Sequence, residues 1–256
     1  MSSYIGRHAQ LYDLFYAQKP YSQEGEFVHS CLKSYGKDIR RILELACGTG
    51  SHAFALEKCG YTVVATDYSE DMLVRAREKA QVRSSRVDFR LQDMRRLNIP
   101  DGPFDAVVSL FDSIGYVLTN EAIKAVLDSI NDQLREGGLL VLEFWHAGAF
   151  LKYFEPVRVR FFPMDSGQVL RISETQLDRS QALAHVSYTI VELQNDGHYQ
   201  LMRETQSNRF FQIQEMENFL MGSGFAALKW FAGFKEVEPI DDQTWHVVAV
   251  AKKMKA

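Results

Sequence analysis

Arg41-Ile42-Leu43-Glu44-Leu45-Ala46-Cys47-Gly48-Thr49-Gly50-Ser51-His52-Ala53 is the stretch on which the reading of the whole chain turns. Arg41 to Ala46 is a short apolar run that reads as a strand. Ser51 to Cys59 reads as a helix, stopped by Gly60. Between them lies a glycine-rich turn. Glycines let a ligand approach the backbone closely, and a helix N-terminus carries partial positive charge, so this is a nucleotide-binding device. Gly48 to Ala53 fits GxGxxA, and Asp67 closes the next strand at the distance where an acid grips ribose hydroxyls. By this motif alone a dinucleotide-binding dehydrogenase fits.

Working outward, strands and helices alternate. Tyr61 to Thr66 is β-branched and reads as a buried strand. Ser69 is placed to cap a helix from Glu70 to Ala80, with Met72, Leu73 and Ala76 on one face. Val87 to Leu91 and Pro103 to Leu110 are further strands. Asn120 to Leu134 reads as an amphipathic helix stopped by Gly137-Gly138, and Leu139 to Phe144 as a fifth strand. This order predicts an α/β fold with a doubly wound, mostly parallel sheet and right-handed crossovers.

Beyond residue 156 the pattern changes. Val157 to Phe162, Val169 to Leu177, Ala182 to Leu193 and Tyr199 to Phe211 read as strands separated by turns such as Asp165-Ser166-Gly167 and Asn195-Asp196-Gly197. Their alternation predicts an antiparallel insert over 156–211, placed before the last helix, Gln214 to Gly222. Two strands, Phe225 to Phe231 and Thr244 to Ala251, close the chain. At the other end, Tyr4 to Ala17 reads as a helix or helix-loop. It leads through the polar turn Lys19-Pro20-Tyr21-Ser22 to a helix from Glu26 to Tyr35. The expectation is one domain over 1–256, with segment 1–36 as a lid.

The chain has 256 residues, 46% of them hydrophobic, enough for one large core. Its net charge of -4 gives no basic excess for nucleic acid or an anionic membrane. The first ten residues hold no apolar signal-peptide core, and no apolar run is long enough to span a bilayer. Cys31, Cys47 and Cys59 form no CxxC pair, so neither a zinc site nor a disulfide framework is expected. Reduced thiols in a cytoplasmic protein are.

Two further acids bear on the ligand. Glu44 lies on a strand that should be buried, where a carboxylate is costly without a partner. It would repel a pyrophosphate and favour the ammonium of a methionine moiety; pairing with Arg40 or Arg41 is the structural alternative. Leu91-Gln92-Asp93-Met94 places an acid and a large apolar side chain after the third strand. That pair suits an adenine's amine and face, although Asp93 would also serve as a plain cap or turn residue. Glu44, Asp67 and Asp93 at three consecutive strand ends fall on the ligand-binding edge of a doubly wound sheet.

The segments ILELACGTG, VVATDYSEDML, LQDMRRL and FDAVVSLFDSIGYV resemble the successive cofactor motifs of class I S-adenosylmethionine-dependent methyltransferases. The resemblance covers about residues 40–145 and implies a seven-stranded Rossmann-like methyltransferase fold with S-adenosyl-L-methionine as cofactor. It implies that Ala46, Gly48 and Gly50 approach the methionine part, with Leu110 and Phe111 bordering it. It implies that Asp67 takes the ribose diol and that Asp93 with Met94 holds the adenine. Tyr68 and Met72, flanking the Ser69 cap, join this set.

YIGRHAQLYDLFYAQKPY, SIGYV and VLEFWHAGAF are similar to small-molecule N-methyltransferases, most of all those that methylate nucleotide-linked deoxyaminosugars. In that group a tyrosine segment folds over the cofactor and an antiparallel insert roofs the substrate. This implies cofactor contacts from Tyr4 and Tyr12, and substrate contacts from Tyr16, Tyr21 and Trp145; tyrosines at helical spacing also serve as core. Where the group often has histidine after SIG, this chain has Tyr116. Asp112, Tyr116, Glu143, Trp145 and His146 follow strand ends and are the candidates near the transferred methyl group, with Asp112, Tyr116 and His146 the expected catalytic set. His146 is a base, a substrate donor or a packed histidine. The insert's arginines, Arg158 and Arg171 among them, would suit a diphosphate, or would pair with Glu174, Glu192 and Glu204.

The expected activity is direct in-line methyl transfer to a small amine, such as a nucleotide-linked aminosugar. The alternatives are O-methylation of a sugar or metabolite, an NAD enzyme, and a non-catalytic binding module of the same fold. No nucleic acid, membrane or metal partner is expected. The insert's edge strand offers a route to a homodimer.

Overall fold

The computed structural model describes residues 6–255. Helices α1 (Arg7–Phe15) and α2 (Tyr21–Tyr35) precede strand β1 (Arg41–Leu45). Then come α3 (Ser51–Lys58), β2 (Thr62–Asp67), α4 (Glu70–Arg83), β3 (Asp88–Leu91) and β4 (Phe104–Ser109). A 3-10 turn at Ser113–Tyr116 leads to α5 (Asn120–Gln133), β5 (Leu134–Trp145) and α6 (Ala147–Tyr153). Strands β6 (Val157–Met164), β7 (Gly167–Asp178), β8 (Leu183–Gln194) and β9 (Tyr199–Arg209) follow. The chain ends with α7 (Ile213–Gly222), β10 (Phe225–Ala232) and β11 (His246–Lys253).

The main sheet has seven strands in the order β10-β11-β5-β4-β1-β2-β3. Strands β1 to β5 pair in parallel, while β11 runs antiparallel to both β5 and β10. The apolar runs of β1, β4 and β5 lie at the centre, where both faces are covered, and such runs belong there. One core joins the sheet to α2, α3 and α4; the other joins it to α5 and α7. Local signals set the helix starts. Ser69 Oγ accepts from the Met72 N–H at 3.4 Å, and Thr119 Oγ1 accepts from the Ala122 N–H at 3.2 Å. A separate antiparallel sheet, β6-β7-β8-β9, carries the insert.

Three readings of the sequence need correction. Helix α2 begins at Tyr21, directly after Pro20, where a polar turn was expected; proline is tolerated at a helix start because its missing N–H would be unbonded there anyway. Gly137 and Gly138 do not cap α5, which ends at Gln133; they lie inside β5, with Gly137 at φ +67°. Helix α6 was not anticipated.

Gly25 marks the tightest helix contact. A Cβ added there would lie 2.6 Å from the Ala55 Cβ, so α2 rests directly on α3. Gly25→Ala is expected to cost about 1–3 kcal/mol of stability by overpacking. Urea denaturation measures it, and an unchanged midpoint would show that α2 slides without penalty.

Candidate active site

The C-terminal ends of β1, β2 and β4 open into a cavity of about 740 Å³, within the usual range of small-ligand sites. Its backbone is strained. Ala46 after β1 has φ +51°, and Phe111 and Asp112 after β4 have φ +57° and +55°. Non-glycine residues in this region cost energy and gather at functional sites. Gly50 has φ +81°, and a Cβ there would meet the Phe89 ring at 2.7 Å. The turn is fixed by Asp67, whose Oδ2 accepts from the Gly48 N–H and whose Oδ1 accepts from the Ser69 N–H, both at 2.8 Å. Burial pushes Asp67 up, and these N–H bonds hold it back.

Glu44 is 2% exposed and lines the cavity. Its Oε2 has no hydrogen-bond partner among the described residues. Arg41, a possible partner, instead donates to the Asp101 carbonyl at 2.6 Å. Burial, with the charge of Asp67 adding, pushes the Glu44 carboxyl well up. Asp93 and Met94 also line the cavity. Asp93 is gripped by Arg95, with contacts of 2.6 to 3.0 Å, which holds it below the usual carboxylate range. Arg95, a lining residue that the sequence reading passed over, thus sits where the adenine end was expected. Ala46, Gly48, Asp67, Tyr68, Met72 and Leu110, also anticipated, line the wall as well, while Gly50 sits in the turn behind it. Tyr4 lies outside the described residues.

Helix α1 covers this wall. Tyr12 and Tyr16 face the cavity with ring centres 4.8 Å apart, and Tyr16 meets Phe111 edge-on at 4.9 Å. Lys79 Nζ joins Asp13, Thr49 and Ser51 at 2.9 to 3.2 Å, pinning α1 to the glycine turn. On its other side α1 grips the insert through Arg7–Glu192 and His8–Glu204, both at 2.6 Å. Tyr21 also lines the cavity, edge-on to His52, whose Nε2 lies 2.5 Å from Glu24 Oε2.

The far end is polar and built from distant segments. Asp112 is buried; its Oδ1 accepts from the Trp145 N–H at 2.9 Å and its Oδ2 from Asn208 Nδ2 at 3.0 Å. Burial pushes Asp112 well up against those two bonds. The Tyr116 hydroxyl donates to Gln206 Oε1 at 3.1 Å. Beneath Phe111, the buried Glu143 accepts from the Phe111 N–H and meets His246 Nδ1 at 2.8 Å. Although burial pushes Glu143 up, His246, the charge of Lys19 and that N–H hold it down.

Of the anticipated residues, Gly50, Glu143, His146, Arg158 and Arg171 fall outside the cavity lining. His146 caps α6 and its Nδ1 donates to the Thr244 carbonyl at 3.0 Å, so it is a packed histidine. Arg158 is exposed on the edge strand β6 and bonds Glu155 at 2.8 Å. Arg171 is 7% exposed and caged by the rings of Phe15, Tyr16, Phe162 and Tyr188. Arg95 apart, no lysine or arginine is among the described residues that line the cavity. The sequence reading missed Gln206, Asn208 and Tyr188. A signal existed: Glu204, Gln206 and Asn208 alternate as polar residues on the inward face of β9, where a core-facing strand carries apolar ones.

Glu44 and Asp112 make stability depend on pH. Folded, both hold protons at a pH where the unfolded chain, with ordinary values of 4.5 and 3.8, has released them. Their contribution is full below about pH 4 and is lost as pH rises toward the folded values. Urea denaturation of the apo protein from about pH 5 to about pH 8 should show falling stability, flattened in Glu44→Gln. Stability rising equally in both proteins would contradict this.

A methyltransferase-domain family profile matches residues 42–138. A protein of Geobacillus sp. strain WCH70 is 29% identical over 247 residues, covering 96% of this chain and 98% of that protein. The dTDP-3-amino-3,4,6-trideoxy-alpha-D-glucopyranose N,N-dimethyltransferase of Streptomyces venezuelae is 30% identical over 188 residues, 72% of this chain and 76% of that protein. The fold matches a crystal structure of an S-adenosylmethionine-dependent methyltransferase from Clostridium acetobutylicum with a TM-score of 0.84. That match has 20% identity and covers 97% of this chain and 98% of that one.

Proposed function

The chain belongs to the S-adenosylmethionine-dependent methyltransferases, and we propose that it N-methylates a small amine such as a nucleotide-linked aminosugar. The observation that carries the choice of acceptor is the polar far end of the cavity. It offers a buried carboxyl group, a phenol and two amides, and His146, one of the candidate bases, lies outside it. An uncharged amine is already a nucleophile and needs orientation more than a base, whereas a hydroxyl would need the roughly 10²–10⁴-fold that general-base catalysis supplies.

The residues present fit the cofactor. Glu44, a buried carboxylate with one oxygen unpaired, suits an ammonium and would repel a pyrophosphate. Gly48 and Gly50 would admit the amino-acid moiety, Asp67 would take the ribose diol, and Asp93, Met94 and Arg95 would border the adenine. S-adenosylmethionine supplies an electrophilic methyl group when bound. This chain's own part is alignment and exclusion of water. Asp112 fixes the backbone at Trp145 and the side chain of Asn208, and Tyr116 fixes Gln206; together they would hold the amine. Helix α1, with Tyr12 and Tyr16, covers the reacting centre. Good alignment of this kind is worth up to about 7–11 kcal/mol.

The relative's name supports the aminosugar class. With Arg158 and Arg171 both outside the lining, a diphosphate would extend out of the cavity, not into it. The test uses methyl-labelled S-adenosylmethionine with paired acceptors, deoxyaminosugar nucleotides and the same sugars bearing hydroxyl in place of amine. Label is expected on the amines alone. Label on the hydroxyl compounds at comparable rates would overturn N-methylation.

A further inference from the structure

Four polar side chains form an unbroken line from α1 to the polar end of the cavity. His8 on α1 is 4% exposed, and its Nδ1 lies 2.6 Å from Glu204 Oε2. The other carboxylate oxygen, Glu204 Oε1, accepts from Gln206 Nε2 at 2.7 Å. Gln206 is 2% exposed, and its Oε1 accepts from the Tyr116 hydroxyl at 3.1 Å. Gln206 and Tyr116 line the cavity; His8 and Glu204 stand behind them. Glu204 and Gln206 lie two residues apart on β9, so their side chains share one face of the insert sheet. The rings of Phe15 and Tyr188 meet His8 edge-on at 5.7 and 5.8 Å and fix the far end of the line.

Donor and acceptor roles along this line are forced. A carboxylate only accepts, so Gln206 must turn its NH₂ toward Glu204. Its carbonyl oxygen then faces Tyr116, and between a carbonyl and a hydroxyl only the hydroxyl can donate. The single Tyr116 proton therefore points at Gln206. Any other group that meets a lone pair of this oxygen must donate to it. Without the carboxylate the amide could turn end for end and present an N–H to Tyr116, which would then aim its own proton elsewhere.

We propose that Glu204 and Gln206 are positioning residues that make the Tyr116 hydroxyl a hydrogen-bond acceptor for an N–H of the substrate amine. The inference rests on the N-methylation reading above. An attacking amine must aim its lone pair at the methyl carbon. An acceptor that holds one N–H fixes the rotation of the amine and leaves that lone pair open. A donor at the same place would bond the lone pair itself and hide the electrons that must attack. The polarity of Tyr116 thus matters as much as its position. No proton travels along the line; it sets a direction. Because the line begins on α1, the helix that covers the cavity also anchors the group that holds the amine.

Steady-state kinetics test this with the aminosugar nucleotide that takes most label in the acceptor assay above. Tyr116→Phe is expected to lower kcat/KM for the amine about 10- to 100-fold, the range for one buried hydrogen bond left unmade. The KM for S-adenosylmethionine should stay put. Glu204→Leu should cause a loss of the same size. Glu204→Gln, whose amide oxygen can still accept from Gln206, should restore activity to within about threefold of the wild type. The double variant decides between positioning and plain packing. If Glu204 acts through Tyr116, adding Glu204→Leu to Tyr116→Phe costs no more than about threefold beyond Tyr116→Phe alone. Gln206→Met gives a second, independent cycle with Tyr116→Phe. S-adenosylhomocysteine binding by calorimetry shows which variants are folded and can be read. Losses that multiply in the double variants, or Glu204→Leu at the wild-type rate, overturn the proposal and leave N-methylation standing. Absence of label on every amine overturns the N-methylation reading and this inference with it.

Discussion

Replacing Glu44 with Gln is expected to weaken S-adenosylhomocysteine binding about 100-fold, roughly 2.7 kcal/mol, while raising the unfolding temperature of the apo protein. The two effects share a cause. Glu44 is buried on β1 with Oε2 unpaired, and an unpaired buried carboxylate is expensive. A ligand ammonium would compensate it; in the apo protein the cost stands. Glutamine keeps the shape, cannot ionise and offers the ammonium no anionic partner. Each kcal/mol relieved should appear as about 2–4 °C in Tm for a chain of this size. Calorimetry and thermal melts read both quantities from one preparation. Affinity within threefold of the wild type would remove Glu44 from the cofactor site, whatever happened to Tm. A fall in both quantities would indicate simple misfolding.

The second large effect is expected at Asp112. Asp112→Asn should lower kcat/KM about 1,000-fold, roughly 4 kcal/mol, with S-adenosylhomocysteine affinity changed only a few-fold. The two oxygens of its carboxyl group serve two donors, the Trp145 N–H and the Asn208 amide. An amide has one acceptor oxygen, so one of those donors would face an NH₂ group and retreat. Asparagine tolerates the left-handed backbone at φ +55°, so the turn itself should survive. A misplacement of about 1 Å at a reacting centre can cost around 100-fold. Because Asp112 acts through its neighbours, the loss should be shared between kcat and the KM for the amine, with the cofactor's KM unmoved. Activity within tenfold of the wild type would show that Asp112 is merely structural.

Much of the cavity wall along β1 and β2 was legible in the sequence because its parts are local. The turn from Leu45 to Ser51, the Ser69 cap and the acids at strand ends are contiguous chain whose geometry follows from residue type and strand–helix order. Glu44 was legible for the same reason: a carboxylate amid Ile42, Leu43 and Leu45 conflicts with its surroundings, and such conflicts mark sites. The polar far end of the cavity was not legible. Asp112 meets Asn208 across 96 residues and Tyr116 meets Gln206 across 90. Nothing near Asp112 in the chain specifies either partner.

The arginines and His146 show the other side of the same limit. Spacing put Arg158 and Arg171 on strands of the insert, but not which way each strand faced. The register turns Arg171 into an aromatic cage and leaves Arg158 on an exposed edge. His146 follows a strand end, as a cleft residue should, yet the antiparallel β11 lies beside it and the Thr244 carbonyl takes its Nδ1–H. The sequence by itself determined the alternation of strands and helices, the sheet class, the glycine turn and the acids along its edge. Tertiary structure decided which side chains share the cavity. Backbone conformation and burial pattern are set by neighbours a few residues away, whereas facing is set by pairing register between strands tens of residues apart.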